Sequence, residues 1–396
     1  MSLRPNIELV AGLLLGIAIS TSFKSLWTWI MPIRPDYDAE GHPKANTYRR
    51  GEIVDGVPGN TPLVRIKSLS EALGVEILMF RGKQRYLVKP LYFPFASHTS
   101  KFLNPGGSVK DRVAMKMIDD AETTNLIKPG TNSRIFEGTV GSTGISIATL
   151  AAARGYRTRI TVAIIMPDDI AAEKVLALRA LGAEVEQVRP ASIVDKKQAS
   201  PFVNLAKIRA QHFGRNNKTT VGSVVSTDQG TETSALQEHV EPRGFFADQF
   251  ENMSNFSAHY EGTGPEIWRQ TDQSLDAFVS GAGTGGTIAG VACYLKERHP
   301  QVRIILSDPE GSGLYNKVKH GVMYDPKESE GRRRRHQVDT VVEGIGINRL
   351  TRNFQHALPL IDDAIRVTDE EAVSMARYLV KHDGLFLGSS SGKSIV

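Results

Sequence analysis

The sequence predicts an α/β fold built on parallel sheets and preceded by one membrane-spanning helix. Three observations carry this. From Ile53 onward, apolar runs alternate with amphipathic stretches, the pattern of strands joined through helices rather than hairpins. Two of the junctions read as strand, glycine loop and helix, at Glu137-Gly138-Thr139-Val140-Gly141-Ser142-Thr143-Gly144 and at Ser280-Gly281-Ala282-Gly283-Thr284-Gly285-Gly286-Thr287. Ahead of all this lies a nearly unbroken apolar run, Ile7 to Phe23.

That run is interrupted only by Glu8 and bounded by Arg4 and Lys24. It has about the minimum length of a bilayer-crossing helix, roughly 17 residues. Trp27 and Trp29 follow, where an interfacial aromatic belt would sit. The bulky Ser20–Ile30 flank offers no small-x-small cleavage site, so residues 1–31 read as an uncleaved anchor with the body in the cytosol. A Pro-rich, charged linker covers 32–50. Strands are then expected at Val75–Phe80, Ser133–Glu137, Arg159–Met166, Glu184–Val188, Ala277–Ser280 and Arg303–Ser307. Helices are expected at Val109–Glu122, Gly144–Arg154, Ile170–Leu181, Thr287–His299 and Asp369–His382. Gly214–Gly244, polar and rich in Thr, Ser and Glu, reads as a disordered surface loop. No internal repeat is present.

Composition narrows the function classes. With 396 residues, 40% hydrophobic and 23% charged, the chain is an ordinary globular protein with a sizeable core. A net charge of +5 is mild, and the basic run Arg332–Arg335 leads straight into a polar stretch. It reads as a solvated loop, and no nucleic-acid partner is expected. The single cysteine, Cys293, excludes an intrachain disulfide and a multi-thiolate metal site, and no metal is expected. It lies in the apolar pattern Ile288–Leu295 and reads as a small core residue rather than a nucleophile.

The chemistry concentrates in three places. In Asn104-Pro105-Gly106-Gly107-Ser108-Val109-Lys110-Asp111-Arg112, the Pro-Gly-Gly turn sets Lys110 in the first turn of a helix. A cation there opposes the helix dipole, a misfit that a reactive amine explains better than stability does. A solvent-exposed lysine is the plain alternative. The loop Thr139–Thr143 offers hydroxyls and free N–H groups to an anion such as a carboxylate. The loop Gly283–Thr287 lets the backbone approach a phosphate and adds the hydroxyls of Thr284 and Thr287. Neither a P-loop lysine nor the dinucleotide glycine spacing is present.

In this order the three elements resemble the fold-type II pyridoxal-phosphate enzymes of the cysteine synthase and cystathionine β-synthase family. Ala258-His259-Tyr260-Glu261-Gly262-Thr263-Gly264-Pro265-Glu266-Ile267, Asn60-Thr61-Pro62-Leu63, Glu173-Lys174 and Leu181–Val185 extend the match over roughly Gly51 to the C-terminus. With the N-terminal anchor, the chain is most similar to fungal membrane-bound cysteine synthase-like proteins of the mitochondrial outer membrane. The resemblance implies a tryptophan synthase β-like, two-domain parallel-sheet fold, 51–188 and 189–396. It implies pyridoxal 5'-phosphate as cofactor, with Lys110 as its covalent anchor and later the general base. Gly283, Thr284, Gly285, Gly286 and Thr287 bind the phosphate, Ser142 faces the ring hydroxyl, and Ser390 meets the pyridine nitrogen. Thr139, Val140, Gly141, Thr143 and Gln249 contact the substrate, and Gly344-Ile345-Gly346 lies near the ring. The partners implied are a small amino acid, sulfide, the membrane and a second copy of the chain as a homodimer.

Val140 and Ser142 depart from the family's usual Ser and Asn, and Ile347-Asn348-Arg349 departs after the Gly-Ile-Gly loop. The leading expectation is β-replacement, joining an O-activated serine such as O-acetylserine to sulfide. β-Elimination from cysteine-like substrates and a non-catalytic, cofactor-binding scaffold are the alternatives. Two stretches read as translated introns, 82–100 and the residues from Gly392, because both begin with Gly-Lys and interrupt or end the family pattern.

Overall fold

The computed structural model describes residues 61–80, 104–129, 131–154, 162–189, 201–214, 242–326, 338 and 340–396. The expected anchor, the linker, the insert at 82–100 and the run Arg332–Arg335 lie outside these residues, as does nearly all of 214–244. Among the described residues, no helix is long and apolar enough to cross a membrane.

A short antiparallel pair, β1 (Leu63–Arg65) and β2 (Leu78–Phe80), opens the described chain around helix α1 (Lys67–Leu73). Helix α2 (Lys110–Thr123) follows the lysine turn and buries Val113, Ala114, Met117, Ile118 and Ala121 along one face, the spacing of an amphipathic helix. Next come β3 (Arg134–Gly138), α3 (Ser142–Ala153), β4 (Val162–Pro167), α4 (Ala172–Ala180) and β5 (Glu184–Val188). Each expected helix and strand of this half appears within a few residues of its predicted bounds. The first sheet is wholly parallel, in the order β5-β4-β3-β6, its last strand being β6 (Gly244–Phe246). That strand joins from beyond residue 188, and α5 (Pro201–His212) packs across the same sheet.

Every residue of β4 is buried, as a central parallel strand covered on both faces requires. Alternation along the strands feeds two cores. Ile135 and Ile164 point into one with Val113, Met117 and Leu150, while Phe136, Ala163 and Ile165 point into the other. The second core continues through Ile288, Val291 and Leu295 to Ile304, Leu306 and Ala364 of another parallel sheet. That sheet has the order β7 (Ala277–Ser280), β8 (Arg303–Pro309), β9 (Asp363–Val367).

Between the sheets, α6 (Ser254–Ala258) runs through one π turn, His259–Thr263, into α7 (Gly264–Gln270). This segment lies on α8 (Gly286–Arg298), which follows the second glycine loop. Helices α9 (Leu314–His320), α10 (Arg352–Ala357), α11 (Asp369–Asp383) and α12 (Ser389–Ile395) complete the described chain. Thr368 and Glu371 form a reciprocal cap at the start of α11.

Cys293 corrects one expectation. It is only partly buried on α8, and its thiol donates to Glu297 at 3.3 Å rather than packing in the core. Burial, then the Glu297 carboxylate, pushes the thiol up to about 11, so it is a weak nucleophile near neutral pH.

The approach of the π turn to α8 depends on Gly290. A Cβ there would stand 2.5 Å from the Phe256 carbonyl oxygen and 2.7 Å from the His259 Cβ. Gly290→Ala is expected to lower folding stability by about 1–3 kcal/mol, the usual penalty of overpacking, measured by denaturant unfolding.

Candidate active site

The lysine turn is held by the residue next to the lysine. Asp111 is fully buried, and one carboxylate oxygen accepts the Gly106 N–H at 2.8 Å. Burial pushes this carboxyl up, against the opposing hydrogen bonds from the turn. The Gly107 N–H closes the turn on the Asn104 carbonyl at 2.8 Å, with Gly107 at φ +80°, a conformation that suits glycine. Lys110 is thereby the first residue of α2, as its sequence position predicts, and it is half-buried rather than solvent-exposed. Its Nζ donates to Thr284 Oγ1 at 3.4 Å, spanning 174 positions of sequence.

Thr284 stands at a junction. Its hydroxyl oxygen also accepts from Asn255 Nδ2 at 2.9 Å, and its carbonyl accepts from the Thr351 hydroxyl at 2.7 Å. The glycines around it are there for space: a Cβ on Gly283 would lie 2.1 Å from the Gly344 carbonyl oxygen, and one on Gly286 would lie 2.1 Å from Asn255 Oδ1. The loop therefore lies flat against Gly344-Ile345-Gly346, and Gly346 N–H donates to the Ala282 carbonyl at 2.8 Å. Helix α8 begins at Gly286, and the N–H groups of a first helical turn have no partner within their helix. A donor-rich cradle for an anion results.

The other glycine loop is built alike. Gly141 N–H donates to Thr139 Oγ1 at 3.3 Å, and Thr143 Oγ1 donates to Gln249 Oε1 at 2.6 Å. Two residues predicted separately as substrate contacts thus meet. The Gln249 carbonyl accepts from Asn255 Nδ2 at 2.8 Å, so Asn255 ties the Thr139–Thr143 loop, through Gln249, to the Gly283–Thr287 loop. Gly141, at φ +140°, lies under the stem of Lys174, whose ammonium pairs with Glu343 at 2.6 Å. Ser142 opens α3 at a half-buried position beside Val140. Ser390 lies in the first turn of α12, whose Ser389 hydroxyl donates to the Val341 carbonyl at 2.9 Å, next to the Glu343–Gly346 loop. The tie of Ser142 and Ser390 to the lysine is carried by the resemblance.

Behind the loops lies a buried polar chain. Arg112 is held in a fork by Glu266, Nη1 to Oε1 at 2.9 Å and Nη2 to Oε2 at 2.6 Å, and also donates to Thr61 Oγ1 at 3.0 Å and Thr263 Oγ1 at 3.4 Å. Thr263 Oγ1 lies 2.9 Å from His259 Nδ1, and His259 Nε2 lies 3.1 Å from Thr287 Oγ1. Burial, with Lys110 and Arg112 nearby, holds the His259 ring well below the ordinary histidine pKa. Asn255 and Thr351 carried no motif in the sequence; both act on Thr284 from other elements, a relation that spacing does not reveal.

The model of the family described as "Pyridoxal-phosphate dependent enzyme" matches residues 101–396. The chain is 48% identical to a protein of Emericella nidulans named cysteine synthase 2, over 98% of this chain and 85% of that one. It is 45% identical, over 88% of this chain and 77% of the other, to a Saccharomyces cerevisiae cysteine synthase with the word mitochondrial in its name. Among solved structures, it is similar to the crystal structure of O-ureido-L-serine synthase, with a TM-score of 0.59 and 28% identity over 88% of this chain and 85% of that one.

Glu137, at the end of β3, is fully buried beside Gln249. Burial, then the Asp248 carboxylate, raises its pKa well above the ordinary value of 4.5. A raised carboxyl favours the fold while protonated, and that contribution is lost as pH rises through the folded-state value. Glu137→Gln removes the loss, so its stability relative to the parent is expected to improve as pH rises from about 4.5 toward neutrality. Denaturant midpoints across that range check it, and parallel curves would refute it.

Proposed function

Because the chain belongs to the family of pyridoxal-phosphate dependent enzymes, we propose that it is a cysteine synthase that replaces the acetoxy group of O-acetylserine with sulfide, releasing cysteine and acetate. One observation carries the reading: a half-buried lysine amine at the head of α2 reaches the hydroxyl of an anion-binding loop, 3.4 Å away. A cofactor with a phosphate at one end and an aldehyde at the other asks for that pairing. The similarity to two named cysteine synthases over most of the chain supports the reaction class.

The residues fit the group. The lack of a Cβ at Gly283 and Gly286 lets the loop press against Gly344 and Asn255, and the N–H groups of the first turn of α8 have no partner within that helix, as an anion site asks. Bound there, pyridoxal 5'-phosphate supplies the electron sink that lets the α-proton and the β-substituent of the amino acid depart. Lys110 would hold the cofactor through its amine and would serve as the base that takes the α-proton. Gly283, Thr284, Gly285, Gly286 and Thr287 hold the phosphate. Thr139, Val140, Gly141 and Thr143 hold the substrate carboxylate, with Gln249 fixing the Thr143 hydroxyl by the bond between them. Ser142 meets the ring oxygen and Ser390 the ring nitrogen. A serine there would be a neutral partner and would not hold a proton on the ring nitrogen, which suits β-replacement.

The same reading includes a homodimer and an N-terminal anchor in the mitochondrial outer membrane. The anchor rests on the apolar run Ile7–Phe23 with Trp27 and Trp29 behind it, and the organelle on the mitochondrial relative.

Two outcomes test the proposal. Lys110→Ala should lose the visible absorbance of covalently bound cofactor and all cysteine formation from O-acetylserine and sulfide; borohydride labelling of a different lysine would refute the assignment. Removal of residues 1–31 should free the protein from membranes after a carbonate wash, with its cofactor bound. Retention in the pellet would refute the anchor.

A further inference from the structure

We propose that His259 is a positioning residue for the cofactor phosphate: fixed as the Nε2–H tautomer by Thr263, it keeps the Thr287 hydroxyl proton directed into the anion loop. The inference rests on the reading of Gly283–Thr287 as the phosphate site. It follows from hydrogen-bond polarity, beginning at a group that can only donate.

Arg112 is that group, since a guanidinium has five N–H donors and no acceptor. Its fork onto Glu266 holds it in place, and Nη1 donates to Thr263 Oγ1 at 3.4 Å. The Thr263 oxygen is therefore an acceptor toward Arg112, and its own proton must go elsewhere. Among the described residues, its one other hydrogen-bond partner is His259 Nδ1, 2.9 Å away. Nδ1 thus accepts and carries no proton. A neutral imidazole then has its single N–H at Nε2, which donates to Thr287 Oγ1 at 3.1 Å. With that bond accepted, Thr287 has its own proton left to give.

The opposite tautomer would reverse the chain. Thr287 would donate to Nε2 and present only lone pairs to the phosphate, where a donor would form a charge-assisted bond. Protonation of both ring nitrogens is opposed by complete burial and by the cations Lys110 and Arg112 facing the ring, while Glu266 is already engaged by Arg112. The backbone supports the geometry. The π turn puts His259 and Thr263 on one side, four positions apart, and Gly290 lets the ring come down onto the first turn of α8.

The test has two parts. In cofactor-loaded protein with 15N-labelled histidine, the ring signals absent from His259→Gln should show an unprotonated Nδ1 and a protonated Nε2. In cofactor-free protein, the affinities for pyridoxal phosphate and for pyridoxal are compared. Thr287→Val should weaken the phosphorylated ligand by roughly ten- to a hundredfold, the range of one hydrogen bond to a charged group, with pyridoxal little changed. His259→Gln, whose amide oxygen and nitrogen reproduce the accepting and donating ends, should keep most of that discrimination; His259→Leu should lose it. A proton on Nδ1 overturns the relay and leaves the phosphate assignment standing. If Thr287→Val weakens both ligands equally, or neither, the phosphate assignment itself fails and the relay with it.

Discussion

The ion pair between Arg112 and Glu266 is the interaction on which the site depends. Arg112 stands two residues after Lys110, and both partners are almost wholly buried, with side chains 4% and 12% exposed. A buried pair is expensive to form, because two charges leave water, and more expensive to break, because one charge is then stranded. Its consequence is geometric. It clamps the head of α2 against α7 and the π turn, so the lysine amine, Thr263 and His259 occupy one rigid frame. The additional bond from Arg112 to Thr61 draws the beginning of the described chain into the same frame.

Around that clamp the site is assembled by close backbone approach. Gly283 against Gly344, Gly286 against Asn255 and Gly290 against Phe256 and His259 are contacts that leave no room for a methyl group. Gly290 lets the π turn come down on α8, and the loop glycines let their own backbone approach Gly344 and Asn255. Asn255 links the results: one amide nitrogen serves Gln249 and Thr284, so the Thr139–Thr143 and Gly283–Thr287 loops are positioned by a single side chain. Movement of either loop would be felt by the other.

Burial also shapes the electrostatics. Glu137, just before the Thr139–Thr143 loop, and Asp111, in the lysine turn, are carboxyls raised by desolvation, while His259 is lowered for the same reason. Lys393 and Asp308 present a different case. Burial drives the amine down to about 7 and the carboxyl up to about 6, and Nζ has no hydrogen-bond partner among the described residues. A buried lysine so poorly matched to its surroundings is a conflict between residue and position.

Alternation and periodicity determined the α/β class, the positions of the main strands and helices, and the place of Lys110 in the first turn of α2, expected from Val109 and observed from Lys110. These are local properties, legible wherever a strand is apolar throughout or a helix has one apolar face. Helix α5 and strand β9 escaped because their patterns are weak: Asp363–Val367 buries only Ala364 and Val367, and α5 spreads its buried residues between polar ones. The lysine and the two glycine loops were legible as chemistry, since few structural reasons place those residue types at those junctions. What only the tertiary structure decided is how they meet. The Lys110–Thr284 contact, the bridge through Asn255 and the polarity running from Arg112 to Thr287 join residues up to 174 positions apart. Hydrogen bonds of that kind are set by packing and leave no period in the sequence.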